Sequence, residues 1–318
     1  MNILPYLAVF FKCCIYGSTI YFTGNLTRSL DVLDVLALRF LLSFVLMFLL
    51  KKIGILKIKI GVRDFFVKNE RTPYLKNILL AAIFEPILYM LFETLGISMT
   101  TGVTTAVILS LSPIVTCIIE ELVVKEKSSI LQKIFLGAGI FGVIFIAVNT
   151  NTTDGTNSPT GIVCLVLAIT VSGMFCVFSK RSSKNFSSLE ITYVSCMLGT
   201  IAFNFINVVR HLIAGDILSY FHPYFNVDNL IGFAFLSVFA SIIAVCLSNY
   251  SLSKIQMSSS AAFGGVSTIV TVLIDVIFNG AILYNYHYIG FIFILARMIG
   301  VSVISIRRDK IKKEKPQH

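Results

Sequence analysis

Ten apolar stretches, each close to the length of a membrane-crossing helix, run through this chain and leave little room for another kind of fold. A helix needs about 20 apolar residues to cross a hydrocarbon core of about 30 Å. In lipid the backbone must satisfy its own hydrogen bonds, which restricts the choice to helices and closed barrels. The stretches lie at 4–24, 33–50, 77–95, 103–123, 131–149, 161–179, 189–209, 230–249, 258–278 and 286–306. The 189–209 stretch is the least apolar in character, since it carries Asn204 and Asn207. Of the 318 residues 56% are hydrophobic and 13% charged. A soluble domain carries about 25% charged residues because its surface must face water. The sequence therefore predicts an all-α integral membrane protein with ten transmembrane helices. The first stretch is apolar from Ile3 onward without a basic leader, and is read as a span rather than a signal peptide.

The net charge of +10 is compatible in principle with a nucleic-acid partner. The distribution argues against one. Of the 26 Lys and Arg, 21 fall beside alternate spans: eight from Lys51 to Lys76, then Lys125, Lys127 and Lys133, then Lys180, Arg181 and Lys184, then Lys254, and six from Arg307 to Lys315. The opposite loops hold only Arg28 and Arg210. Cytoplasmic loops carry such an excess, so both termini and the 307–318 tail are expected in the cytoplasm, with the cell membrane as the expected location. The seven Cys all lie within apolar stretches and have no metal-type spacing, as expected of small buried apolar residues.

The span starts of the first half recur in the second at an offset of about 155 residues, with Ala106, Ile114, Val115 and Thr116 falling on Ala261, Ile269, Val270 and Thr271. Five spans is an odd number, so the halves must be inverted relative to each other. Inverted repeats are a transporter design, with the site near mid-membrane where the halves meet. Residues 1–150 and 155–306 are read as the two five-helix units, with the polar stretch 150–158 (TNTTDGTNS) between them.

Several segments resemble the drug/metabolite transporter superfamily, of the EamA-like kind. IYGSTIYFTG at 15–24 is similar to the family's aromatic-Gly-Ser segment, and LALRFLLSF at 36–44 to its Leu-x-x-Arg-Phe. TTAVILSLSPIVTCIIEELVVKEK at 104–127 has the family's small residues, a central Pro113 and the later Glu126; Gly161 to Lys180 is similar to its sixth helix. The second half departs from the pattern, with Thr268 and Ala281 where Pro and Glu would correspond, and Gly24 stands where many members have Lys. The resemblance implies export or exchange of a small metabolite, such as an amino acid, by alternating access. It also implies a central cavity lined by spans 1, 3, 4, 6, 8 and 9.

A charged group at mid-membrane costs about 2.5 kcal/mol or more, and usually faces the interior or a wet cavity. Lys12 and Glu85 each lie about eight residues into spans that run the same way, so they reach similar depth and are candidates to pair. Tyr16 and Tyr89 follow each by four residues and share their faces. With Ser112 and Pro113, these residues form the candidate substrate or proton pathway, and Glu85 is the candidate for proton coupling. The plainer reading of Lys12 and Glu85 is a structural pair between helices. Arg39 and Arg297 are read as structural, Arg297 with a partner of its own. Glu120 and Glu121 at a span end suit headgroups, with gate or interface roles as the alternative; Asp275 takes the corresponding place in the second half. Asn204 and Asn207 suit hydrogen bonds between helices.

GAGIFG at 137–142 matches a nucleotide-binding pattern, but lies inside an apolar span, where close helix packing is the better reading. The sequons at Asn25 and Asn151 bear on function only in a secretory host. The four His lie at loops, span edges or the tail, no H-E-x-x-H occurs, and no span has a pair of Asp residues. The sequence therefore points to a secondary transporter of a small organic solute, with the bilayer and the solute as partners and no cofactor or metal. A membrane-embedded enzyme and a channel-like or structural membrane protein are the competing classes. Substrate, coupling ion, direction and oligomeric state are not encoded in any recognisable signal.

Overall fold

The computed structural model describes residues 3–60, 65, 72–100, 102–109, 111–125, 129–149, 158–279 and 284–314. Among these no strand occurs. The helices are α1 (Leu4–Ser29), α2 (Val32–Lys52), α3 (Thr72–Ala82), α4 (Tyr89–Met99), α5 (Gly102–Leu109), α6 (Ser112–Ile119), α7 (Ile130–Asn149), α8 (Pro159–Ser182), α9 (Ser188–Ala214), α10 (Val227–Ala234), α11 (Val245–Leu252), α12 (Met257–Ala262), α13 (Gly264–Asn279) and α14 (Asn285–Glu314). Among the described residues, seven helices are long and apolar enough to cross a membrane: Leu4–Ser29, Val32–Lys52, Pro73–Met99, Pro159–Ser182, Ser188–Ala214, Asn229–Leu252 and Ser259–Phe278. Two further apolar helices, Ile130–Gly142 and Tyr288–Val301, are shorter. Glu126, Ala281, the 150–157 joint and part of the basic loop at 61–71 lie outside the described residues, as does the side chain of Asp275.

The expected continuous helices are interrupted in several places. The third stretch joins α3 to α4 across a kink at Ile83–Leu88, and the eighth joins α10 to α11 through a wide π-helical turn at Phe235–Ala244. The fourth stretch is divided between α5 and α6, and the ninth between α12 and α13. The expected 155-residue offset carries 83–88 onto 238–243, inside that wide turn. The two halves thus depart from regular helix at corresponding places, one by a kink and the other by a wider turn. The wide turn at 235–244 is held by α2: Arg39 Nε donates to Ser241 Oγ at 2.7 Å, Ser43 Oγ donates to the Ser237 carbonyl at 3.2 Å, and Ser237 Oγ donates to the Arg39 carbonyl at 2.9 Å. Such bonds engage backbone groups that apolar surroundings would otherwise leave unpaired. Arg39 is accordingly a structural residue of this contact.

The stretch with two asparagines becomes α9, a 27-residue helix that starts with a capping box at Ser187 and Glu190. Asn204 Nδ2 donates to the Ala37 carbonyl at 3.0 Å and Thr200 Oγ1 to the Phe40 carbonyl at 2.7 Å, so α9 is stitched to α2 along its length. Beyond them Asn207 donates to Asp34 at 3.0 Å. Arg210 pairs with Asp31 at 2.6 Å and with Asp34 at 2.8 Å. His211 lies 2.9 Å from Asp34 through Nε2 and 2.9 Å from Asp216 through Nδ1. Carboxylates only accept, so this geometry is satisfied by the imidazolium, with both ring nitrogens donating.

The GAGIFG segment packs helix on helix. A Cβ at Gly142 would come within 2.7 Å of the Gly290 carbonyl and of Phe293 Cβ on α14. Glycine here lets two backbones approach, as small residues do within membranes.

Candidate functional site

The halves meet around an interior cavity of about 130 Å³. All six residues singled out from the sequence line it: Lys12 and Tyr16 from α1, Glu85 and Tyr89 from the broken third stretch, and Ser112 and Pro113 from the start of α6. Further wall comes from α8, from Ser248 on α11 and from α12 and α13, with Ser260, Gly264, Ser267 and Thr268 among the lining residues. The fourth and ninth stretches contribute equivalent positions, since Leu109, Ser112 and Pro113 correspond at the 155-residue offset to Gly264, Ser267 and Thr268.

Glu85 stands where the helix is broken. Its backbone is extended, with φ −142° and ψ 117°, inside an otherwise helical run. A residue before proline is pushed out of the helical region by the proline ring, so Pro86 accounts for the local conformation. The Glu85 side chain is 6% exposed, and its carboxylate accepts from Tyr16 Oη at 3.4 Å, a long bond for this pair of groups. Lys12 Nζ lies over the Tyr16 ring, 5.5 Å from its centroid. The expected direct Lys12–Glu85 ion pair is not formed; Tyr16 lies between them and contacts both. Tyr89 turns instead to Glu93, donating to its carboxylate at 2.6 Å.

Glu93 is not among the residues expected here. It lies one helical turn beyond Tyr89 and two beyond Glu85, so a period of four along this face is the signal that would have found it. Ser267 and Thr268 are legible through the repeat, as the partners of Ser112 and Pro113. The cavity therefore holds one ammonium, two carboxylates, two phenols and several hydroxyls within an apolar bundle.

Two charges are placed differently from expectation. Glu120 does not face headgroups. It is 1% exposed and accepts from the Met257 backbone N–H at 2.9 Å, at the first residue of α12, while Lys180 Nζ is 3.9 Å away. A carboxylate there offsets the partial positive charge of a helix start, and so one half of the chain fastens a helix of the other. Glu121 pairs with Lys133 at 2.9 Å near the surface. Arg297, expected to have a structural partner, has no hydrogen-bond partner among the described residues.

A sequence model of the EamA-like transporter family matches the chain twice, over residues 3–148 and 159–305. The chain belongs to the EamA-like transporter family. An uncharacterized transporter of Bacillus subtilis (strain 168), YcxC, is 28% identical over 305 residues, covering 96% of this chain and 95% of the relative. A solved crystal structure of a protein superposes with a TM-score of 0.72 at 12% identity, covering 96% of this chain and 99% of the other. That last likeness is one of fold. An EamA-like transporter with this many apolar helices is an integral, multi-pass membrane protein whose cargo is a small molecule.

In this EamA-like transporter Pro113 sits in the first turn of α6, which begins at Ser112. Proline is tolerated at a helix start because the N–H it lacks has no intrahelical partner there. Pro113→Ala is expected to let α5 and α6 join more regularly and to lower turnover several-fold, with membrane insertion and protein yield retained. Solute flux and apparent affinity in proteoliposomes measure this. Unchanged values for both would reduce Pro113 to a packing residue.

Proposed function

We propose that this chain is a secondary transporter of a small organic solute, an amino acid or another metabolite, working in export or exchange by alternating access. The observation that carries the reading is the cavity itself. It lies between the two repeats, is walled by interrupted helices from both, and displays Lys12, Glu85 and Glu93 inside an apolar bundle. Intramembrane charge is costly, and a solute with complementary groups would justify its retention. The opposed charges suit a zwitterion or a polar solute bearing both donors and acceptors. In this reading Lys12, Tyr16, Glu85, Tyr89, Ser112 and Pro113 form the substrate and proton path.

The same reading takes the chain as ten spans in two inverted five-helix units, 1–150 and 155–306, in the cell membrane with a basic cytoplasmic tail at 307–318. The interrupted 102–124 segment and the two shorter apolar helices supply the spans beyond the seven long ones. Counterflow from proteoliposomes, tested against a panel of amino acids and organic acids, tests the function. Saturable exchange of one class is the expected result. Conductance in planar bilayers without saturable exchange would favour a channel, and solute turnover without transfer would favour an enzyme.

Topology has its own test. A single Cys placed at position 154, in a background lacking the seven native Cys, is expected to react with an impermeant maleimide from outside the cell. Labelling only from the cytoplasmic side would overturn the inverted arrangement.

A further inference from the structure

Arg297, on α14, is 0% exposed, and Nε and both terminal nitrogens lack a hydrogen-bond partner among the described residues. The helices around it make room for its side chain. A Cβ at Gly139 on α7 would fall 2.7 Å from both Cβ and Nε of Arg297, and one at Gly265 on α13 would overlap Nη2. Two glycines on two helices thus form a passage for one buried charge.

No described carboxylate balances this charge. Glu120 is engaged by the Met257 N–H and Lys180. Asp275 lies ten residues beyond Gly265 on α13, about 15 Å along the helix axis. The guanidinium keeps its charge in proteins and offers five donors. A buried charge without a partner is strongly unfavourable, and none of the described residues supplies the counter-charge. A guanidinium is a donor set for an anion, and suits carboxylates in particular.

We infer that Arg297 binds a small monovalent anion, chloride or the carboxylate of a short organic acid, between α7, α13 and α14. The site lies one residue behind the cavity wall, because Gly264 lines the cavity while Gly265 abuts the guanidinium. It does not depend on which solute the cavity carries.

The test uses the purified full chain in detergent. Its thermal unfolding is followed while sodium gluconate is replaced by sodium chloride or by sodium formate at constant ionic strength. A bound anion raises the midpoint with a saturable concentration dependence. The expected result is such a rise of several degrees in the native protein and its loss in Arg297→Met. A rise with chloride alone assigns an inorganic ion; a rise with formate, alone or stronger, assigns a carboxylate. Absence of a saturable rise with either anion, as expected if only water meets the guanidinium, overturns the site. So does an equal rise in Arg297→Met. Should that variant fail to fold, Arg297→Lys provides the reading: the half-saturating concentration should increase several-fold, and an unchanged value overturns the proposal.

Discussion

Glu85→Gln is expected to leave counterflow working and to abolish accumulation driven by a pH gradient. The amide keeps the size of the carboxyl and its ability to accept from Tyr16, so the cavity can still bind and exchange solute. It cannot take up or release a proton. One pH unit corresponds to about 1.4 kcal/mol per proton, which sustains about tenfold accumulation. That factor is the effect at stake. Because Lys12 lies over Tyr16 rather than on the carboxylate, removing the Glu85 charge breaks no direct ion pair, and normal protein yield is expected. Accumulation at the native level in a well-folded Glu85→Gln variant would remove this residue from proton coupling. Loss of folded protein, with recovery in Lys12→Met, Glu85→Gln, would favour a purely structural role.

Gly17→Val is expected to prevent folding, and Gly17→Ala to weaken it. Residue 17 packs α1 against α13 at backbone distance. A Cβ there would lie 2.5 Å from the Ser267 carbonyl oxygen and 2.8 Å from Val270 Cβ, while Thr271 Oγ1 already donates to the Gly17 carbonyl at 2.9 Å. Neither a backbone carbonyl nor a β-branched side chain can turn aside, so the helices would have to separate. Overpacking of this sort costs about 1–3 kcal/mol, and Val adds more volume than Ala. At Gly24, on the same helix, a methyl group would meet nothing within 4 Å, and Gly24→Ala is the control, with no loss expected. Equal unfolding temperatures for Gly17→Ala and Gly24→Ala in detergent would refute the close-packing account.

Much of the helix placement is legible in the sequence because lipid imposes one simple demand, about 20 apolar residues per crossing. The cavity residues are legible for a related reason: a charge such as Lys12 or Glu85 amid apolar sequence is expensive enough to be conspicuous. What escapes is the pairing between charges. Depth along two helices puts Lys12 and Glu85 at the same level, but the side-chain directions that let Tyr16 come between them are set by helix rotation, and apolar residues on every side leave rotation poorly marked. Glu93 is easily missed because its place near the end of a span suggests an interfacial group. Glu120 misleads for the same reason, since its partner, the start of α12, is 137 residues away in sequence. The interruption at Ile83–Leu88 has a visible cause in Pro86. The one at Phe235–Ala244 contains no proline, and is held instead by serines and an arginine that bond across helices.

Those two irregular segments also bear on how the chain came about. They fall at corresponding places in the two halves, where Phe84 and Ile87 match Phe239 and Ile242 at the same offset while Glu85 and Pro86 meet Ala240 and Ser241. In the first the backbone breaks at an extended residue; in the second it stays helical in a wider turn. An irregularity at the same place in both is most simply inherited from a single ancestral five-helix unit that already carried one before it was duplicated. On that account each descendant copy has kept part of the original side-chain pattern and has reached its own form of the bend.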